Sequence, residues 1–140
     1  MNESSTYMLH KLVFMLDRAA DEMLRKHFGI SYNRALVLVT LREMPGATQH
    51  QLALALSYTD AAVSLMLGEL IKAGFVSVTI DPAHRRKKRV ELTAEGVRLA
   101  DKTHAFLSQK FDNFMAASSI DVAQFNKMIT QLYGAAKEQS

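Results

Sequence analysis

The sequence predicts a mainly helical fold with one small β-hairpin. Apolar residues recur at three- and four-residue steps near both ends of the chain. Two short segments with helix-capping residues follow one another in the middle, and after them two β-like runs flank a turn-rich, basic stretch. At 140 residues and 49% hydrophobic content, the chain fits one domain with long flanking helices and is too apolar for global disorder.

Leu9, Leu12, Val13, Leu16, Ala20, Met23 and Leu24 form one apolar face of a long first helix, which Gly29 ends. Ser31 caps a second helix through Tyr32–Met44, and Pro45-Gly46 terminates it. Ala35, Leu36, Val37, Leu38, Val39 and Leu41 make that helix apolar nearly all round, so it belongs at the domain centre. Thr48 and Gln51 fit a capping box for a third helix, whose expected inner face is Leu52, Ala55 and Leu56. After a break at Ser57-Tyr58-Thr59, Thr59 caps a fourth helix. Asp60 suits its positive end, and Val63, Met66, Leu67 and Leu70 form its inner face up to Gly74. Phe75–Ile80 alternates apolar and polar residues, and Lys88–Leu92 is a second β-like run, so the segment between them is a hairpin loop. Thr93 and Glu95 open a long helix with Leu99, Thr103, Phe106, Leu107, Phe111 and Phe114 on one face. The segment Ser118–Asp121 breaks it, and Phe125, Met128, Ile129, Leu132 and Ala136 stripe a final helix.

Two short helices joined by a tight turn, then a β-hairpin with a basic tip, make a winged helix-turn-helix. The terminal helices carry more apolar surface than that domain needs to cover itself, and a homodimer interface would bury the excess. The expected division is an N-terminal dimerisation helix over 1–29, a winged helix-turn-helix DNA-binding domain over 30–95, and C-terminal dimerisation helices over 96–140.

Charge points the same way. The formal net charge is only +3. Residues 48–89 hold six Lys/Arg (Lys72 and the row Arg85, Arg86, Lys87, Lys88, Arg89) against Asp60, Glu69 and Asp81, while the rest of the chain has 11 of each sign. The whole excess sits in one block, as an anionic partner would require. Five like charges at a hairpin tip repel one another unless they meet counter-charge, and beside a helix-turn-helix that charge is phosphate. Arginines there can enter the minor groove.

These residues resemble the MarR family of transcriptional regulators. The match runs through Gly74, Phe75 and Val76, then Asp81, Pro82 and Arg86, then Val90, Leu92, Thr93 and Gly96, with two helix-turn-helix segments upstream at Gln51–Leu56 and Ala62–Phe75. The resemblance implies a homodimer on double-stranded DNA at a pseudo-palindromic operator, with recognition helices in successive major grooves roughly 34 Å apart. Such a regulator is expected to be a repressor relieved by a small, often aromatic or phenolic, ligand. The expected DNA contacts are Gln49, His50 and Gln51 at the start of the first motif helix, then Thr59, Asp60, Ala61, Ala62, Ser64 and Leu65 on the recognition helix. Arg85, Arg86, Lys87 and Lys88 on the wing complete the set, with Arg86 at its tip. Candidate ligand-pocket residues are His10, Phe14, Tyr32 and Phe106.

The chain departs from the family pattern in three places. His84 stands where the family has an Asp that orients the wing arginine, Thr79 where an arginine is usual, and the recognition helix is poor in hydrogen-bond donors. Without an arginine to read guanine, Ala61 and Ala62 can contact thymine methyls, Ser64 a phosphate or base edge, and Asp60 a cytosine amine.

Other functions have less in the sequence to support them. There is no Gly-rich phosphate loop, nucleophile elbow or paired-carboxylate motif, so no enzyme is expected. Zero cysteines and five histidines without i, i+4 spacing argue against a thiol switch, a metal site or a cofactor. No apolar run reaches the roughly 20 residues that cross a bilayer and no signal peptide opens the chain, so a cytoplasmic protein is expected. The rival reading is a winged-helix dimer acting mainly through protein–protein contacts, suggested by the apolar Ala61–Leu67 segment.

Overall fold

The computed structural model describes residues 4–84 and 87–140. Its helices are α1 (Ser5–Phe28), α2 (Tyr32–Glu43), α3 (Gln49–Leu56), α4 (Asp60–Lys72), α5 (Ala94–Ala117) and α6 (Val122–Glu138). Strands β1 (Ala47–Thr48), β2 (Val76–Ile80) and β3 (Lys88–Leu92) form one antiparallel sheet in the order β1-β3-β2. The fold is a winged helix-turn-helix flanked by long helices, as expected. The chain forms two compact units, Met1–His104 and Ala105–Ser140.

Local chemistry sets the boundaries in the first unit. Ser31 Oγ accepts from the Arg34 N–H at 3.2 Å and starts α2. Gly29 closes α1 with φ +68°, a left-handed conformation that L side chains rarely adopt, and donates its N–H to the Arg25 carbonyl at 3.1 Å. Asp21 joins the two helices. It accepts the Tyr32 N–H at 2.9 Å and the Arg25 guanidinium at 2.8 Å, and these contacts, the backbone one foremost, hold its carboxyl below the ordinary range.

Helix α2 runs through the core, burying Ala35, Val37, Leu38 and Leu41. Leu24 of α1, Leu52 of α3, Val63 of α4 and Val90 of β3 are also at or near zero exposure. The predicted inner face of α4 is the observed one: Val63, Met66, Leu67 and Leu70 are all buried. For α3 the expectation is corrected. Leu52 and Ala53 are buried, whereas Ala55 is exposed. An eight-residue helix held from several sides takes its inner face from its neighbours, and its own periodicity is too short to override them.

Two features were not foreseen. Strand β1 pairs Ala47 with Val90 and Thr48 with Arg89, so the expected hairpin is the larger part of a three-stranded sheet. Gly96 is a close-approach glycine, because a Cβ there would lie 2.0 Å from the Phe75 carbonyl oxygen. That oxygen accepts the Thr93 N–H at 3.0 Å, Thr93 Oγ1 donates to the Gly74 carbonyl at 2.7 Å, and the Gly96 N–H donates to Thr93 Oγ1 at 3.0 Å. Thr93 and Gly96 thus seat the start of α5 against the segment that enters β2.

The predicted stripe on α1 is buried only in its C-terminal half, at Ala20 and Leu24. Leu9, Leu12, Val13, Phe14 and Met15 are 42–66% exposed. In the second unit Met115 is buried and Phe111 packs on Phe125 with ring centroids 6.0 Å apart. Helix α6 has no buried residue, and Met128, Ile129, Leu132 and Tyr133 are 41–67% exposed.

Candidate nucleic-acid interface

Helices α3 and α4 meet at 114°, within the range of a helix-turn-helix. Ser57 makes the turn by taking a left-handed conformation, φ 56°. Tyr58 fixes it to the start of α2 by donating its hydroxyl to Asn33 Oδ1 at 3.0 Å. The foreseen capping box is present: Thr48 Oγ1 accepts from the Gln51 N–H at 3.2 Å and Gln51 Oε1 accepts from the Thr48 N–H at 2.9 Å. Thr59 Oγ1 accepts from the Ala62 N–H at 3.1 Å and starts α4.

The polar residues at the head of α3 reach across to α4. Gln49 Nε2 donates to the Asp60 carbonyl at 3.2 Å, and His50 Nδ1 lies 3.3 Å from Asp60 Oδ1. Asp60 is therefore drawn toward α3. Thr59, Asp60, Ala61, Ser64 and Leu65 are exposed, and Ala62 is half-buried. On a helical wheel Ala61, Ser64, Leu65, Gly68 and Lys72 fall on the side opposite Val63, Met66, Leu67 and Leu70.

The wing pairs Val76 with Leu92, Val78 with Val90 and Ile80 with Lys88. At its end the Asp81 N–H donates to the Lys87 carbonyl at 2.8 Å, and the Lys87 N–H to the His84 carbonyl at 2.9 Å. Lys87 and Lys88 are exposed, as is His84. Arg85 and Arg86, the latter expected at the tip, lie outside the described residues. Arg89 differs from the other described wing cations. Its guanidinium donates to the Gly46 carbonyl and to Asp81 Oδ2, each at 3.0 Å. The Ala83 N–H, then Arg89, hold the Asp81 carboxyl below its usual range. The row of like charges is thus not uniform: one cation is matched inside the protein, and the described remainder faces solvent.

Of the candidate pocket residues, the structure brings Phe14 and Tyr32 to one cleft of about 360 Å³, shared with Asp17, Arg18 and Asn33. Burial, then the charge of Asp17, pushes the Tyr32 phenol up, and burial raises Asp17 itself. His10 is exposed on α1 and does not line the cleft. Phe106 belongs to the second unit, where Lys110 Nζ lies 5.4 Å from its ring centroid. Among the described residues no group of three or more His, Asp or Glu could hold a metal ion, and no single helix is long and apolar enough to cross a membrane.

Residues 28–87 match the MarR family. No curated protein matches the chain. Among solved structures, the DNA complex of Staphylococcus aureus MepR superposes with a TM-score of 0.80 at 20% identity, over 99% of this chain and 100% of that one. Wild-type E. coli MarR in its apo form gives 0.81 at 21% identity, over 96% and 98%. A second MepR structure, described as a transcription regulator of the multidrug efflux pump MepA, gives 0.70 at 21% identity, over 99% and 100%. The MarR match thus covers the helix-turn-helix and the first part of the wing, and the chain shares its fold throughout with these solved MarR and MepR structures.

Proposed function

We propose that this protein is a homodimeric, sequence-specific DNA-binding repressor, with α4 in the major groove, the wing in the minor groove, and DNA binding relieved by a small aromatic or phenolic ligand. The observation that carries the reading is the exposed outer face of α4 beside a hairpin whose Lys87 and Lys88 point to solvent. Exposed cations beside a groove-sized helix fit phosphate. The DNA complex of MepR, which shares the fold, supports the partner class.

Residues 1–29 and 96–140 serve as dimerisation segments in this reading. The exposed apolar residues of the first half of α1 and of α6 support that role, since a second copy would remove them from water. The cleft at Phe14 and Tyr32 supports an effector with an aromatic ring: Tyr32 supplies a hydroxyl donor and Arg18 a positive charge for a phenolate or carboxylate. Localisation in the cytoplasm follows from the DNA partner.

Fluorescence anisotropy against mixed duplex fragments over a salt series tests the core of this. Binding that falls steeply with salt supports it, and no binding at low salt refutes it. Exposed Leu54 and Leu65, 67% and 65% accessible, favour the second reading, a protein-docking dimer, if DNA binding fails.

A further inference from the structure

The outer face of α4 is unusual for a helix that reads DNA. Ala61, Leu65 and Gly68 lie along it, and Leu65 is 65% exposed. The side-chain hydrogen-bonding groups in the first half of the helix are few. Thr59 Oγ1 is occupied as the cap, Asp60 is drawn toward His50, and Ser64 remains. A long aliphatic side chain held in water has no intrachain benefit here, because the buried face is the opposite one.

Gly68 adds an independent observation. It sits inside α4, where glycine weakens a helix relative to alanine. A Cβ there would meet nothing within 4 Å, and its backbone does not have a positive φ. Neither intrachain packing nor backbone conformation requires a glycine. Gly96 shows the contrast, since its absent Cβ is demanded by the Phe75 carbonyl. Close approach by something outside the chain, on the same side as Leu65, is a physical reason that fits a glycine there.

We infer that Ala61 and Leu65 are specificity-determining residues that read the C5-methyl groups of thymine in the major groove, with Gly68 as the point where the backbone of α4 comes against the duplex. This rests on the DNA-binding reading above. The major-groove edge of a T·A pair presents a methyl group that an apolar side chain can cover, while the other bases offer polar atoms that Ala61 and Leu65 cannot pair. Exposed Lys72, on the same side of α4, would meet phosphate where the helix leaves the groove.

Uracil provides the test, since it differs from thymine only in lacking the C5-methyl and leaves the minor-groove edge unchanged. Any preference of the wing for A·T-rich minor grooves is therefore held constant. The full chain selects its preferred duplex from a random-sequence library. Each thymine of that duplex is then replaced by uracil, and affinity is read by fluorescence anisotropy at fixed salt. Affinity should fall about fourfold for each contacted methyl removed, the value of one buried methylene. Leu65→Ala should bind the thymine and uracil duplexes alike at the position it reads. Gly68→Ala should raise the melting temperature while weakening binding, opposite signs that a purely structural glycine would not give. Equal affinity for thymine and uracil duplexes, or a preferred duplex without thymine in the half-site, overturns the inference and leaves DNA binding intact. A Gly68→Ala protein that binds like the wild type overturns the close approach. No binding to any duplex at low salt removes the DNA-binding reading itself.

Discussion

Gly96 offers the sharpest test of how the wing is seated. In Gly96→Ala the new Cβ starts 2.0 Å from the Phe75 carbonyl oxygen, and atoms of this kind essentially never come within 3.0 Å. Helix α5 and the Phe75 strand entry must therefore separate by at least 1.0 Å, the difference of those two distances. The Leu92 side chain, 3.2 Å from the same Cβ, limits sideways escape. Overpacking of this sort costs about 1–3 kcal/mol. Weakening the bond from the Thr93 N–H to Phe75, now 3.0 Å, adds about 1 kcal/mol. Alanine's better helix propensity returns up to about 1 kcal/mol. The net expectation is a loss of about 1–3 kcal/mol. Urea unfolding followed by circular dichroism at fixed protein concentration measures it, and a loss near 2 kcal/mol should lower the midpoint by about 1 M. A variant as stable as the parent would refute the reasoning, because it would mean that α5 and the wing root are not in hard contact.

Other substitutions probe the remaining parts. Thr48→Ala removes the hydroxyl side of the capping box and should cost about 1 kcal/mol in the same unfolding assay. Leu38→Ala empties a fully buried site and should cost about 2–5 kcal/mol. Asp81 has a depressed folded-state pKa, so its contribution is present above the unfolded value near ~3.9 and is lost as pH falls through the lower folded value. Protection of wing amides, taken relative to their intrinsic exchange rate at each pH, should fall over that acid range, and Asp81→Asn should show the lower protection already at neutral pH. Lys88→Ala should lower the slope of log affinity against log salt by about one unit per wing in duplex binding.

Much of the fold was legible because it is specified locally. Ser31, Thr48 and Thr59 each cap the helix their position announces, and Gly29 and Gly74 take the left-handed conformations expected after α1 and α4. What escaped detection is non-local. Two residues of β1 are too few for a period to show, and they become a strand only because Val90 and Arg89 lie alongside. The inner face of α3 is chosen by its neighbours. Arg89 looked like one of five equivalent charges, yet Asp81 and the Gly46 carbonyl, 43 positions away in the chain, single it out. In the candidate interface, position along the chain anticipated the exposure of Ala61, Ser64, Leu65 and the wing lysines. It did not reveal that Gln49 and His50 reach Asp60. Phe14, named from the sequence as a candidate pocket residue, shows the same limit: the single chain leaves it 66% exposed at the edge of a cleft.

The guanidinium of Arg89 also has a mechanical consequence. By gripping Asp81 at the loop end of the hairpin and Gly46 just ahead of α3, it ties the far part of the arm to the start of the helix pair. In the proposed dimer the arm and the helix pair would therefore tilt together as one lever if the two halves spread or closed. Cutting the tie would let the arm swing by itself, while the proposed contact face of α4 stayed as it is.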